Sequence, residues 1–122
     1  EIGVRLVGSE MCIRDSPGSP SVLGNVLLSI EQHVEWVSDY IAHLEAESVC
    51  TTEPAEAAER EWTAHVAEVA SYTVYPEGGS WYMGANLPGK PRAFMPYAGG
   101  MHLYRQQCDD VAAKGYPGFV HV

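Results

Sequence analysis

Apolar side chains recur at helical spacing between residues 29 and 45. They follow one another at steps of four, three, four and three, and so share one helix face: Ile30, Val34, Val37, Ile41 and Leu44. Ser29 stands where a helix cap is expected, and Gln32 would complete a capping box. The pattern predicts a first helix that packs this stripe in a core, with His33 and His43 on the helix face rather than in a reacting site.

A second helix is predicted after Pro54, which suits a first helical turn. It should end before Pro76, because the turn sequence Pro-Glu-Gly-Gly begins there. His65 is expected on its solvated side, and the expected buried positions are Trp62, Val66, Val69 and Thr73. A third helix is expected to stop at Gly115, since apolar residues recur at steps of three, four and three at Met101, Tyr104, Cys108 and Val111.

Three short stretches rich in β-forming residues lie near residues 49–52, 93–97 and 118–121. Pro96 places the middle one at a sheet edge or beside a bulge. Cys50, in the first stretch, is expected to be a small buried apolar group. The predicted fold class is α+β, with three helices and a small sheet of short strands.

The first sixteen residues do not fit with the remainder. One reverse translation of the run from Leu6 to Ser16 reads like a sequencing adapter. We interpret residues 1–16 as a non-native, adapter-derived segment and exclude them from functional argument. The other interpretation is a genuine short strand followed by a loop.

Composition excludes several classes of function. The formal net charge of −9 argues against nucleic-acid or anionic-membrane binding. No apolar run is long enough to span a bilayer, and the five histidines show no metal-ligand spacing, so no metal site is expected. Three scattered cysteines without a C-x-x-C pair favour a reduced, cytoplasmic protein. A length of 122 residues suffices for one small domain, and no G-x-G-x-x-G follows a strand.

The stretch from Ser80 to Pro91 is the most distinctive loop. Two glycines free its backbone, two prolines fix it, and Trp81 carries an indole that is costly to leave in water. Two interpretations stand. The loop is either a turn pinned to the core by Trp81, or a mobile segment that closes over a ligand with Trp81 as its lid.

Three segments in one order resemble flavin-dependent Baeyer–Villiger monooxygenases of the phenylacetone and cyclohexanone monooxygenase type. They read PGSPSVLGNVLLSIEQHVEWV, SWYMGANLPGKPR and FMPYAGG followed by YRQQCDDVAAKGYPGF. The resemblance extends from Pro17 to the end and implies that residues 17–122 are the C-terminal part of such an enzyme, associated with its FAD domain. The two dinucleotide-binding domains and the catalytic arginine segment of that family are absent, so no catalytic residue and no activity are expected in this chain alone.

The resemblance also implies roles for individual residues. Ser21, Val22 and Leu23 would line the substrate pocket, and Met95 would line it opposite Leu23. Val26 would lie at the flavin of FAD, mainly through its backbone amide, and Trp81 would cover bound NADP. Lys90 and Arg92 receive no role, because the family holds the 2′-phosphate of NADP on its NADPH domain.

The implied activity is insertion of an oxygen atom from O2 into a ketone to give an ester or lactone. FAD and NADPH are the implied cofactors, and the remainder of its own polypeptide is the implied partner. Two alternatives stay open: a related flavin monooxygenase that oxidises sulfur or nitrogen, and a free-standing helical interaction domain without a cofactor.

Overall fold

The computed structural model describes residues 19–20, 24–79, 81–83, 88–89 and 92–121, with only the backbone of Trp81. The adapter-like segment and the predicted pocket residues Ser21, Val22 and Leu23 lie outside the described residues. Within that part of the chain the elements are α1 (Val26–Ala46), β1 (Thr52–Pro54), α2 (Glu56–Ser71), 3₁₀ turns at Tyr75–Glu77 and Trp81–Met83, α3 (Met101–Ala113) and β2 (Phe119–His121). The predicted α+β class with three helices is confirmed.

Helix α1 begins one turn earlier than the sequence suggested. Asn25 has extended backbone angles, and its side-chain oxygen accepts a hydrogen bond from the Leu27 amide at 3.0 Å. The expected cap at Ser29 is therefore wrong. The Ser29 hydroxyl instead donates to the Asn25 carbonyl at 3.4 Å and lies 3.5 Å from the Met101 sulfur of α3.

Helix α1 packs against α3 through its polar and aromatic side. Ser29, Gln32 and His33 are buried there, whereas Tyr40 is buried further along α1 against Tyr116 and Phe119. The His33 ring lies 3.1 Å from the Tyr104 hydroxyl, and the Trp36 indole donates to the Cys108 carbonyl at 2.9 Å. His33 is thus a buried packing residue.

Three of the five residues of the predicted α1 stripe are exposed, so their expected burial in a core is wrong, whereas Ile30 and Leu44 are half-buried. Val34 is 50% exposed, Val37 38% and Ile41 51%, and Leu27 extends the same face with 70% exposure. We call these four residues the outer stripe. Helix α3 covers the side of α1 that carries His33 and Trp36, and it leaves the outer stripe uncovered in the described structure.

A two-stranded antiparallel sheet ties the end of the chain to its middle. Thr52 pairs with His121, and Pro54 pairs with Phe119. The closing strand is confirmed, whereas the strand expected at 49–52 begins only at Thr52. Cys50 precedes the sheet and is exposed, so its expected burial is wrong.

Tyr40 joins the sheet to α1. Its hydroxyl lies 2.5 Å from the Thr52 hydroxyl, and its ring packs 4.5 Å from Tyr116 and 4.7 Å from Phe119. These contacts fix the C-terminal strand against the helix.

Residues 93–97 form no strand, contrary to the sequence-based expectation. The Met95 amide donates to the Tyr82 carbonyl at 3.2 Å, and the Tyr97 amide donates to the Ser19 carbonyl at 2.8 Å. Pro96 between them has no N–H. The backbone bonds thus go to two separate segments instead of one neighbouring strand.

Helix α2 begins at Glu56, so the placement of Pro54 in its first turn is wrong, because that residue ends β1. Its predicted end before Pro76 is confirmed. Val66 and Ala70 are buried. Ala70 joins Met83 and Phe94 in a small core, against which Tyr75 and Tyr82 pack.

The ring of Tyr97 occupies the tightest place in the fold. It is 1% exposed and lies 5.3 Å from the Trp62 ring and 6.0 Å from the Tyr104 ring. A methyl group at Gly99 would lie 2.7 Å from Tyr97 Cε1 and closer still to Cζ and Oη. Gly99 is therefore required by the space that the Tyr97 ring fills.

Replacing Gly99 with alanine should destabilise the chain by about 1–3 kcal/mol, because the buried ring must shift. Denaturant unfolding of the purified chain measures the change. Gly79→Ala is the matched control, since nothing lies within 4 Å of the added carbon. Equal unfolding midpoints for the two variants would contradict this packing.

Candidate functional site

Val26, predicted to lie at the flavin, is the first residue of α1 and is 37% exposed. The first amide groups of a helix have no acceptors within the helix, and the helix dipole adds positive charge there. No acidic residue occupies the first turn of α1 to neutralise that charge. This end of the helix therefore presents a positive, hydrogen-bond-donating surface.

Met95, predicted to line the substrate pocket, is 47% exposed. Its side chain is thus not part of the core, and the buried position belongs to its neighbour Phe94. The Met95 amide is hydrogen-bonded to the Tyr82 carbonyl, so its place in the fold is fixed although its side chain is accessible.

The turn that contains Trp81 is anchored at its other end by Met83. Met83 is 7% exposed and packs in the core with Ala70 and Phe94. Tyr82, between Trp81 and Met83, contacts the same core and lies 6.4 Å, ring to ring, from Phe94. The backbone of Trp81 is therefore held in place by the buried Met83 and by Tyr82. The structure does not describe the Trp81 side chain.

Residues 95–97 connect the predicted site segments, and we call them the bridge. One bridge hydrogen bond reaches Tyr82, next to Trp81, and the other reaches Ser19, two residues before Ser21. Ser19 and Pro20 are both almost fully buried. The fold thus brings together the Trp81 turn, Met95 and Ser19, which precedes the predicted pocket residues, whereas Val26 lies on α1, which packs against α3.

Sequence reasoning missed a polar seam between the helices. His65 was expected on the solvated side of α2, but it is half-buried, 3.4 Å from the Tyr97 hydroxyl and 3.4 Å from the Gln107 amide nitrogen. Burial raises the pKa of the Tyr104 hydroxyl and that of the Cys108 thiol above their usual values. Both groups therefore stay protonated near neutral pH. No short spacing in the sequence marks this seam, because its members come from separate helices.

A cleft of about 350 Å³ opens between α2 and α3, beside the seam. Its lining includes His65, Tyr97, Leu103 and Asp110, but none of the predicted site residues. Within the described ranges, no three His, Cys, Asp or Glu side chains are grouped to hold a metal ion. No described helix is both long and apolar enough to cross a membrane.

No family model matches the chain. Among curated proteins it is 40% identical over 104 residues to an acetone monooxygenase (methyl acetate-forming) of a Gordonia strain, covering 84% of this chain and 20% of that protein. It is 38% identical over 96 residues to a Baeyer–Villiger monooxygenase of Pseudooceanicola batsensis, with 79% and 18% covered. The chain is homologous to Baeyer–Villiger monooxygenases. The resemblance noted from its three segments is thereby confirmed.

Solved structures agree with this relationship. The fold superposes on an oxidised steroid monooxygenase bound to NADP with a TM-score of 0.79 and 38% identity, covering 88% of this chain and 19% of that one. A complex of OTEMO with FAD and NADP gives a TM-score of 0.78 at 28% identity, with 89% and 20% covered. The chain spans about a fifth of the length of the relatives it matches.

One further relative differs in the chemistry that its name states. A phenazine N-monooxygenase of Lysobacter antibioticus is 38% identical over 103 residues, covering 84% of this chain and 19% of that protein. Oxidation at nitrogen therefore occurs among the homologues beside oxidation of ketones.

Cys108 and Cys50 should differ in reactivity, because only the thiolate is nucleophilic. Cys108 is partly buried with a raised pKa, whereas Cys50 is exposed. In a Cys12→Ser background at pH 8, we expect iodoacetamide to alkylate Cys50 at least about tenfold faster. The Cys108 rate should still climb with pH above 9, since a raised pKa delays thiolate formation.

Peptide mass spectrometry over time gives both alkylation rates from one sample. Unfolding in urea should make the two rates similar, which controls for local sequence effects. Equal rates in the native chain would contradict the burial of Cys108.

Proposed function

We propose that residues 17–122 are the C-terminal part of an FAD- and NADPH-dependent Baeyer–Villiger monooxygenase, associated with its FAD domain. One atom of O2 enters a ketone to give an ester or lactone, and the other leaves as water while NADPH becomes NADP⁺. The observation that carries this proposal is 40% identity over 104 residues to an acetone monooxygenase that forms methyl acetate. Residues 1–16 are proposed to be adapter-derived and outside the enzyme.

The start of α1 fits a place at the flavin. Its amide groups and positive dipole suit the electron-rich carbonyl edge of a flavin ring. Val26 is exposed enough to be approached, and no carboxylate in the first turn opposes it. When bound, NADPH supplies a hydride and FAD activates oxygen. The proposed part of Val26 is to hold the flavin through its backbone amide.

The bridge fits one wall of a substrate pocket that opens toward the cofactors. Met95 presents an accessible, flexible thioether side chain, which suits an apolar pocket that accepts ketones. Ser21, Val22 and Leu23 are proposed as the opposite wall. Trp81 is proposed to cover NADP and to exclude water from the reacting atoms.

The outer stripe is proposed to pack on the remainder of the longer polypeptide. Four apolar side chains on one helix face, from 38% to 70% exposed, form a patch that folded proteins ordinarily cover. The relatives are about five times as long as this chain, so their missing four fifths offer the covering surface. A cytoplasmic location, where NADPH is abundant, completes the proposal.

Oxidation of a nitrogen or sulfur atom is the second candidate. The homology to a phenazine N-monooxygenase supports it, at nearly the same identity as the ketone enzymes. The same cofactors would serve both reactions. A free-standing interaction domain has no such support, since the curated relatives reported above are all monooxygenases.

The longer polypeptide that carries this chain should consume NADPH in a ketone-dependent manner and form an ester with one oxygen atom from ¹⁸O₂. Mass spectrometry of the product measures this. The isolated 122-residue chain with FAD and NADPH is the control and should form none. A full-length, FAD-containing protein that oxidises amines or sulfides but no ketone would contradict the ketone proposal and favour the second candidate.

Within that enzyme, Trp81→Ala should weaken NADP⁺ binding by about 1–3 kcal/mol, through a lost hydrogen bond and lost packing. A larger fraction of NADPH should then yield hydrogen peroxide instead of ester. Trp36→Ala is the matched control, because Trp36 packs on Tyr116 and bonds the Cys108 carbonyl, away from the Trp81 turn. That control should lower the melting temperature and leave NADP⁺ affinity intact. If Trp81→Ala behaves like it, Trp81 is a core anchor.

A further inference from the structure

The Trp81 turn and Met95, the two ends of the proposed site, are held by the same small core. The Trp81 turn ends at Met83, whose side chain is 7% exposed against Ala70 and Phe94. Phe94 directly precedes Met95, and it is also 7% exposed. Met83, two residues after the proposed NADP contact Trp81, and Phe94, next to the proposed ketone contact Met95, therefore lie in the same small core.

A direct backbone bond reinforces this shared support. The Met95 amide donates to the carbonyl of Tyr82 at 3.2 Å, and Tyr82 lies between Trp81 and Met83 in the chain. The Tyr75 ring stacks 4.9 Å from the Phe94 ring on the same core. Displacement of the turn must therefore either break the Tyr82–Met95 bond or carry Met95 with it.

We propose that Met83 is a positioning residue that holds the proposed NADP-covering turn and the Met95 pocket wall as one unit. Met83 fills the core beneath the turn. The Tyr82–Met95 hydrogen bond makes the position of Met95 depend on the position of the turn. This inference rests on the proposed function. It predicts that one buried side chain affects both cofactor affinity and ketone preference.

A smaller residue at position 83 removes that support. Without the Met83 side chain, the turn loses its buried anchor and can shift, because packed interiors tolerate few voids. An error in placement of about 1 Å can cost up to about a hundredfold in rate. The effect should fall on ketones of different shape to different extents, since Met95 is the proposed contact with them.

The test uses the full-length enzyme with Met83→Ala. We expect NADP⁺ Kd to rise by about tenfold, and the ratio of kcat/KM for an acyclic and a cyclic ketone to change by at least about threefold. Met83→Leu conserves most of the volume and should restore both values. If Met83→Ala does not fold, Met83→Val makes a smaller cavity and is measured in its place.

Val66→Ala is the matched control, because Val66 is buried on α2 but is not part of the core that contains Met83. It should lower the melting temperature without changing either the NADP⁺ Kd or the ketone ratio. If Met83→Ala only lowers the melting temperature as Val66→Ala does, the inference is overturned while the proposed function stands. A parent enzyme that neither binds NADP⁺ nor oxidises ketones would overturn both.

Discussion

The packing of the Tyr97 ring is the constraint on which the rest of the described structure depends. The ring is 1% exposed between Trp62 of α2 and Tyr104 of α3. Because the ring is held, the backbone of residues 95–97 is held as well, and its two amide groups reach Tyr82 and Ser19. Position 99 is a glycine because a side chain there would collide with the same ring. A single aromatic ring thus determines where the bridge lies.

Helix α1 uses two different faces for two different purposes. Its inward face is polar and aromatic, and it matches α3 through the His33–Tyr104 and Trp36–Cys108 hydrogen bonds. Its outer stripe is aliphatic and has no partner surface among the described residues. Hydrogen bonds give the inward contact its specific geometry, whereas the outer stripe gains stability only when another apolar surface covers it. This division suits a segment that is one layer of a larger fold.

The sequence predicted the helices well because spacing alone defines an amphipathic helix. It could not predict which surface covers the stripe, and Val34 and Ile41 were therefore wrongly placed in a core. The β-forming residues around Phe94 and Tyr97 suggested a strand, but strand formation needs a neighbouring strand, and here each amide bonds a different segment.

The roles of Val26, Trp81 and Met95 came from the resemblance, and periodicity could not have supplied them. The hydrogen bond that joins the Trp81 turn to Met95 is formed by backbone atoms, which leave no mark in the sequence. The hydrogen-bond partners of His33 and His65 were not predicted, for a related reason. These partners lie 71 and 32 residues away along the chain.

The central claim is that the outer stripe of α1 is covered by the remainder of a longer polypeptide. Maleimide labelling of Ile41→Cys, in the isolated chain and in the longer polypeptide, tests it most directly. Because Cys50 is also exposed, labelling is followed at the substituted position by peptide mass spectrometry. Glu35→Cys is the control, since Glu35 is exposed on another side of α1 in a solvent-exposed ion pair. We predict that Ile41→Cys is labelled rapidly only in the isolated chain, while Glu35→Cys is labelled in both. Equal labelling of Ile41→Cys in the two proteins would contradict the claim.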